Sequence, residues 1–567
     1  MNLRRVVRAS LMSLALLGLA ALLPPGTAAL AATDAGELAA QISELVTATY
    51  KPDEPGAAMI VVRQGEVLHR EAVGMANLEL GAPLEPDMVF RLGSITKQFT
   101  GAAIALLEDE GKLSVGDPIT RFLPDYPTHG HEITIAHLLA HTSGIRSYTG
   151  IPGWMESRIK SDMTLEELID GFAGEPMDFA PGARFLYNNS GYVLLGAIIE
   201  EASGRTYEEF LTERIFEPLG MKSSYYGSHS RVIPRRAAGY DGTPGDYRNA
   251  QYLSMTQPHA AGALVSTVDD LATWNAALFG GKLLGAEAVG RMTTPFELND
   301  GTSTGYGYGL GIGELRGRRM ISHGGGIFGF STYALHLPEE EIFVAVLSNN
   351  TADAIPSPGL VARKIAALVM GDPFPEFTPI ELEPEVLSRY TGVYRIDEET
   401  TRTVTLVEGK LYTQRSGGPK LPIAPHSQNG FFYERSLTHL SFIAEKGKVT
   451  HMLFYPDGSK EPELVERTDE PLPEEPTVAD VDPRLYDDYV GRYEIRPGFE
   501  LTISRGGDRL FSQVTGGDPA EIFPSSETEF FSRVSDARFT FERDPAGRVD
   551  RVIIHRGAEE IRASRLD

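Results

Sequence analysis

Cysteine does not occur in the 567 residues, so disulfides, thiolate metal sites and a cysteine nucleophile are excluded together. Positive charge is in short supply: 52 lysines and arginines face 78 aspartates and glutamates, a formal net charge of −26. A field of that sign repels phosphate backbones and argues against a nucleic-acid partner. Long apolar runs are missing beyond the N-terminus, so no later segment offers the roughly 20 residues of a membrane-spanning helix. One motif is missing as well. No Gly-Lys-Ser or Gly-Lys-Thr follows the glycines at 324–326, which removes a phosphate loop.

The N-terminus is a different kind of sequence. Arg4, Arg5 and Arg8 give a basic start, Leu11 to Leu23 form an apolar stretch, and Ala29-Leu30-Ala31 fits an A-x-A cleavage site. Residues 1–31 therefore read as a secretory signal peptide, cleaved after Ala31. The competing reading is a membrane anchor, for which the apolar stretch is short. Cleavage takes away three positive charges and no negative one, leaving the mature chain at −29. A cysteine-free exported chain suits a bacterial periplasm or exterior, with no stable membrane span once the signal is gone.

At ~150 residues per domain the length implies three or four units. Leu38, Ile42, Leu45, Val46 and Thr49 recur at helical spacing, and Ala57–Val62 and Val67–Val73 flank Gln64-Gly65 as a β-hairpin. Helical patterns then dominate at 94–110, 134–140, 164–172, 190–203, 206–214 and 267–278. Strands return at 306–313, 318–323, 331–337 and 342–348. Early strands, a helical middle and late strands predict one antiparallel sheet shared by both ends of a domain and covered by helices, an α/β (α+β) unit over 35–370. Proline-rich acidic stretches at 371–384 and 469–481 read as linkers. They bound two β-domains, 385–468 and 482–567, which look like repeats of one another. Tyr390-Thr391-Gly392-Val393-Tyr394 answers Tyr489-Val490-Gly491-Arg492-Tyr493, Phe431-Phe432 answers Phe530-Phe531, and Phe442 answers Phe541. Each predicts a small antiparallel barrel or sandwich.

The chemistry concentrates in the first unit. Ser94-Ile95-Thr96-Lys97 opens an apolar helix, and residues three apart share a helix face, so the lysine amine sits beside the serine oxygen. A serine needs a neighbour to take its proton, and a lysine desolvated at a buried helix start loses charge and can be that base. The helix N-terminus also aims free N–H groups at developing negative charge. Alone, S-x-x-K is common. Here it is followed by Tyr187-Asn188-Asn189, ahead of an apolar helix, and by His323-Gly324-Gly325 at the end of a strand.

Serine-x-x-lysine, tyrosine-x-asparagine and basic-x-glycine, in that order, resemble the three elements of the β-lactamase and penicillin-binding-protein superfamily. The surrounding segments are similar too: His137-Leu138-Leu139-Ala140-His141-Thr142-Ser143-Gly144, Glu217-Pro218-Leu219-Gly220-Met221 and Ala261-Gly262-Ala263-Leu264-Val265-Ser266-Thr267. Tyr-x-Asn in place of Ser-Asp-Asn resembles the class C branch, with its D-aminopeptidase, D-Ala-D-Ala carboxypeptidase and esterase relatives. The segment from Tyr489 looks like a domain appended to some members. The resemblance implies that Ser94 forms an acyl-enzyme and that Lys97 and Tyr187 share the base and acid roles. It also implies that Asn189 positions Lys97 and the substrate, and that the backbone N–H groups of Ser94 and Gly326 hold the oxyanion. His323 and Gly325 would contact substrate. No cofactor and no metal are implied, and the partner is a small molecule or short peptide. The oligomeric state is left open.

One departure bears on substrate. Many members carry lysine where this chain has His323, and a histidine with a pKa near ~6.5 supplies no assured charge for a substrate carboxylate at neutral pH. Small amides, D-amino-acid peptides or esters are therefore expected ahead of β-lactams or D-Ala-D-Ala peptides. Other classes remain: a non-catalytic penicillin-recognising binding or sensing protein, or barrels that carry an apolar ligand. His137 and His141 lack the glutamate of H-E-x-x-H and read as a structural pair in a helix and its cap, and His129-Gly130-His131 as a loop.

Overall fold

The computed structural model describes residues 25–351, 356–473, 477–496, 499–514, 519–556 and 559–566; residues 1–24 of the expected signal peptide lie outside them. Among the described residues no helix is long and apolar enough to cross a membrane.

The first unit is built on one antiparallel sheet. Its strands are β1 (Ala57–Arg63), β2 (Glu66–Val73), β3 (Gly311–Leu315), β4 (Arg318–Ile327), β5 (Phe330–Leu337) and β6 (Ile342–Ser348). The order is β3-β4-β5-β6-β1-β2, so the two ends of the unit meet where Ala57 pairs with Ser348 and Arg63 with Ile342. The β1–β2 hairpin closes at Gln64 and Gly65, both at positive φ (53° and 78°), the geometry that matches strand twist in a two-residue turn. Alternation along β1 divides the core. Ala57, Met59 and Val61 face helix α1 (Pro25–Thr49) through Ile42 and Val46, and helix α4 (Pro358–Val369) through Val361 and Ile365. Ala58 and Ile60 face the helical layer that contains α2 (Thr96–Asp109) and α3 (Asn189–Ser203).

Helix α2 is buried on nearly every side from Thr96 to Leu107, and it is stitched in place by side chains. Thr100 Oγ1 donates to Ala260 O at 2.7 Å, and Thr96 Oγ1 accepts from Leu264 N at 3.1 Å. The strand expected over 306–313 begins only at Gly311. Residues 306–310 leave the sheet because glycines let the backbone close on its neighbours: a Cβ at Gly307 would lie 2.1 Å from Met292 O, and one at Gly309 2.2 Å from Lys97 O. The strand expected to end after His323 instead continues to Ile327.

Two closed eight-stranded antiparallel barrels follow, spanning Gly392–Arg467 and Gly491–Arg565. Their internal symmetry extends to individual bonds. Tyr394 hydroxyl donates to Tyr390 O and Tyr493 hydroxyl to Tyr489 O, both at 2.7 Å. Arg467 binds the carbonyls of Arg389, Thr391 and Val449; Arg565 binds those of Asp488, Val490 and Val549. Tyr394, Phe431, Phe442 and Met452 fill the first interior, and Tyr493, Phe530, Phe541 and Val552 the second. Among the described residues these side chains pack the inside of each barrel.

The stretch 371–384, expected to be a linker, lies against its neighbours. Phe374 is buried in the same cluster as Val369 and Leu437 of the first barrel, and Phe377 stacks on His426 with centroids 4.1 Å apart. Ile380 N donates to Pro425 O at 2.8 Å. Arg316, in the β3–β4 turn, donates to Gly458 O and Asp372, both at 2.8 Å, and Arg363 pairs with Asp457. The first barrel is thereby docked against the β3–β4 turn and α4.

Candidate active site

Ser94 sits in a single 3-10 turn, Gly93–Ile95, that runs directly into α2, with no side chain capping the helix start. Gly93 (φ +55°) makes the sharp entry, and a Cβ there would stand 3.0 Å from Gly326 N in β4. Thr332 Oγ1, on β5, donates to Leu92 O at 2.7 Å and holds the approach from the other side. The uncapped N–H groups of the turn are thus left beside the backbone of Gly326, the arrangement an oxyanion requires.

One turn later, Lys97 points back into the protein and is 0% exposed. Its Nζ lies 3.2 Å from Ser94 Oγ, 2.9 Å from Asn189 Oδ1 and 2.8 Å from Ala261 O. Burial pulls the amine well below its usual 10.5, with no opposing carboxylate among the described residues. A neutral amine has two N–H groups and one lone pair. Asn189 Oδ1 and Ala261 O accept the two N–H groups, so the lone pair is left for the Ser94 hydroxyl.

Asn189 opens α3, whose N-cap is Asn188: its Oδ1 accepts from Gly191 N at 2.7 Å. Asn189 Nδ2 donates to Thr149 Oγ1 at 3.1 Å, which turns Oδ1 toward Lys97. Tyr187, 38% exposed, places its ring centroid 4.7 Å from Lys97 Nζ. Desolvation raises its phenol, and a hydrogen bond with Ser94 pulls the other way.

His323 and Gly325, expected as substrate contacts, support the site from behind. His323 Nδ1 donates to Gly324 O at 2.6 Å, which leaves Nε2 to accept from the Tyr306 hydroxyl at 2.7 Å. Both ring nitrogens are engaged. Burial, with Lys97 nearby, lowers the imidazole from 6.5 to about 3, so the ring is neutral where a carboxylate anchor would need charge. Gly325 is required by packing: a Cβ there would meet Leu92 O at 2.0 Å. At Gly326 a Cβ would meet nothing within 4 Å and would project into open space.

Some contributors carry no motif. Thr149, Tyr306 and the Ala261 carbonyl belong to the hydrogen-bond network but not to the three sequence elements. His141, which the sequence presents as structural, underlies Tyr187 with ring centroids 4.2 Å apart, at φ 60°. Its Nδ1 accepts from Asn188 N at 3.0 Å, and burial keeps the ring neutral. It therefore sets the backbone between Tyr187 and Asn189. His137 forms a capping box with Thr134, as a helix-cap role requires.

A cavity of about 400 Å³ opens in front of Ser94, walled by Asn189 and Gly326 on the reactive side and by Met155, Ile159, Leu253 and Phe328 opposite.

Comparison with known proteins places this geometry. The beta-lactamase family profile matches residues 38–364, and the profile of a domain of unknown function, DUF3471, matches residues 475–565. A D-aminopeptidase of Gluconobacter oxydans (strain 621H) is 30% identical over 349 residues, 60% of this chain and 64% of that protein. Esterase EstB of Burkholderia gladioli is 34% identical over 250 residues, 41% of this chain and 62% of the esterase. Among solved structures, the octameric penicillin-binding protein homologue from Pyrococcus abyssi has a TM-score of 0.54 and 27% identity, covering 76% of this chain and 100% of its own.

Proposed function

The chain belongs to the beta-lactamase family of serine hydrolases, and on that premise we propose that it is an exported hydrolase of small amides, D-amino-acid peptides or esters, working through an acyl-enzyme on Ser94. The observation that carries this reading is the environment of Lys97: fully buried, with no carboxylate partner among the described residues, and 3.2 Å from the serine oxygen.

In the proposed reaction, Ser94 Oγ attacks the substrate carbonyl carbon while its proton moves to the neutral Lys97 amine or, through the phenol, within the Lys97–Tyr187 pair. The carbonyl oxygen, now negative, is held by the N–H groups of Ser94 and Gly326. Collapse of this intermediate breaks the bond to the amine or alcohol, which leaves with the proton returned through Tyr187. Water then attacks the ester on Ser94, gives its proton to the same pair, and frees the acid and the serine. Asn189 keeps the lysine lone pair aimed throughout.

Two features favour neutral or amine-bearing substrates over β-lactams and D-Ala-D-Ala peptides. His323 is uncharged and already bonded on both sides, and no lysine or arginine is among the described residues on the cavity wall. Export rests on the basic, apolar and A-x-A sequence of residues 1–31. The test is a panel of D- and L-amino-acid amides, p-nitrophenyl esters, nitrocefin and D-Ala-D-Ala peptides. Turnover of amides or esters well above the β-lactam supports the reading, and efficient nitrocefin turnover contradicts it.

A further inference from the structure

Among the described residues, the wall of the cavity in front of Ser94 carries one charged side chain, Asp241. It stands on the short strand Tyr240–Thr243, which runs beside the end of β6. Tyr240 N donates to Asn349 O at 3.0 Å, and Thr351 N donates to Tyr240 O at 3.2 Å. The Thr351 hydroxyl donates to the Asp241 carboxylate. Beneath this pair Asn349 is 0% exposed and fully used: its Oδ1 accepts from Gly56 N at 2.8 Å, and its Nδ2 donates to Met75 O at 3.0 Å and Ala238 O at 2.9 Å. The carboxylate is therefore held on a fixed support rather than on a free loop.

Resting on the hydrolase reading above, we propose that Asp241 is a specificity residue that receives a positively charged amine on the acyl portion of the substrate. The charges around it favour that assignment. Arg248 lies opposite Asp241 in the strand pair, but its ion pair, at 3.0 Å, is with Asp246. Arg91 stands behind the wall, with its guanidinium 3.5 Å from Phe328 O. Lys97 is engaged with Ser94, Asn189 and Ala261 at the reacting end, and His323 is tied to Tyr306 and Gly324. A substrate carboxylate entering this chamber meets apolar side chains and one negative charge. An ammonium meets the same apolar side chains and a carboxylate partly withdrawn from water, where the attraction exceeds that of a fully solvated pair. The amine can be the α-ammonium of an amino-acid amide or the terminal ammonium of a longer acyl chain, since either presents the same charge.

The experiment uses the full chain and four p-nitroanilides: D-alanyl, L-alanyl, ε-aminocaproyl and butyryl. The readout is the ratio of kcat/KM for each amine-bearing anilide to that for butyryl within one protein, which does not depend on how much of a variant is folded. The native chain should favour an amine-bearing anilide by about tenfold or more. Asp241→Asn should bring that ratio to within about twofold of unity, and Asp241→Lys should push it below unity. Which anilide is favoured identifies the α- or the terminal ammonium as the ligand. An amine preference that survives in Asp241→Asn, or a native chain with no preference, overturns the proposal. A chain that turns over neither these anilides nor p-nitrophenyl butyrate and takes no label on Ser94 instead fails the hydrolase reading, and the Asp241 assignment falls with it.

Discussion

The Tyr306 hydroxyl and His323 Nε2 stand 2.7 Å apart in the buried layer behind Gly324, and the burial of this pair bears on how stability answers to pH. The hydroxyl donates and the imidazole accepts, so the bond is made by the neutral ring. Burial lowers the imidazole from 6.5 to about 3. A base whose folded pKa is depressed takes its proton first in the unfolded chain. Its contribution to stability is complete above about pH 6.5 and is lost as pH falls toward 3. The loss amounts to about 3–5 kcal/mol for a shift of this size. His323→Gln should therefore flatten the acid side of the stability curve, measured by urea unfolding at pH 7 and pH 4. Equal losses in both proteins would show that His323 does not titrate this way.

Catalysis should respond to a different group. The Lys97 amine must be neutral to take the Ser94 proton, and burial moves it down from 10.5. The expected kcat/KM rises with pH along that limb and has no separate step from His323 near 6.5. A step that disappears in His323→Gln would contradict the assignment.

In the proposed mechanism Lys97 and Tyr187 act as one proton-handling unit; the amine lies 4.7 Å from the ring centroid and both groups are near Ser94. Lys97→Met and Tyr187→Phe should each slow acylation by about 10²-fold or more. The double variant should be little slower than the worse single one. Losses that multiply in single-turnover measurements would mean the two act separately.

The glycines of β4 should differ sharply. Gly325→Ala places a methyl 2.0 Å from Leu92 O and 2.3 Å from Thr332 Oγ1, which must push the strand away from the turn that carries Ser94. A cost of about 1–3 kcal/mol and slower labelling of Ser94 are expected. Gly326→Ala meets nothing within 4 Å and should unfold like the parent. A Gly325→Ala protein as stable as Gly326→Ala would refute the packing role.

Limited proteolysis tests the docking of the first barrel. Because Phe374, Phe377 and Ile380 are all engaged, 371–384 should resist cleavage in the native chain. Phe374→Ala should make that stretch susceptible. Early cleavage there in the parent would show it to be a free linker.

Much of this was legible in the residues. The Gln64-Gly65 hairpin, the buried helix after Ser94 and the barrel repeat each repeat one local rule over several positions: turn chemistry, apolar periodicity, or matched order. Ser94, Lys97, Tyr187 and Asn189 stood out because each belongs to a short motif. What stayed hidden depends on contacts distant in the chain. Tyr306 reaches His323 only because Gly307 and Gly309 let 306–310 leave the sheet. Thr149 orients an asparagine 40 residues away. Asp241 joins the cavity through Asn349 and Thr351, more than a hundred positions later. No spacing rule links such residues. His323 is the unusual member of its motif by sequence, but its lost charge follows from burial, which periodicity does not report.

The central claim is that Ser94 is the covalent nucleophile, activated by a neutral Lys97. The most direct measurement is intact-mass and peptide mapping of the purified chain after reaction with a fluorophosphonate, alongside Ser94→Ala and Lys97→Met. The account predicts one adduct per chain, located on the peptide containing Ser94, absent from Ser94→Ala and formed at least about 10²-fold more slowly in Lys97→Met. An adduct on another serine, or labelling of Ser94 at the same rate without Lys97, would contradict it.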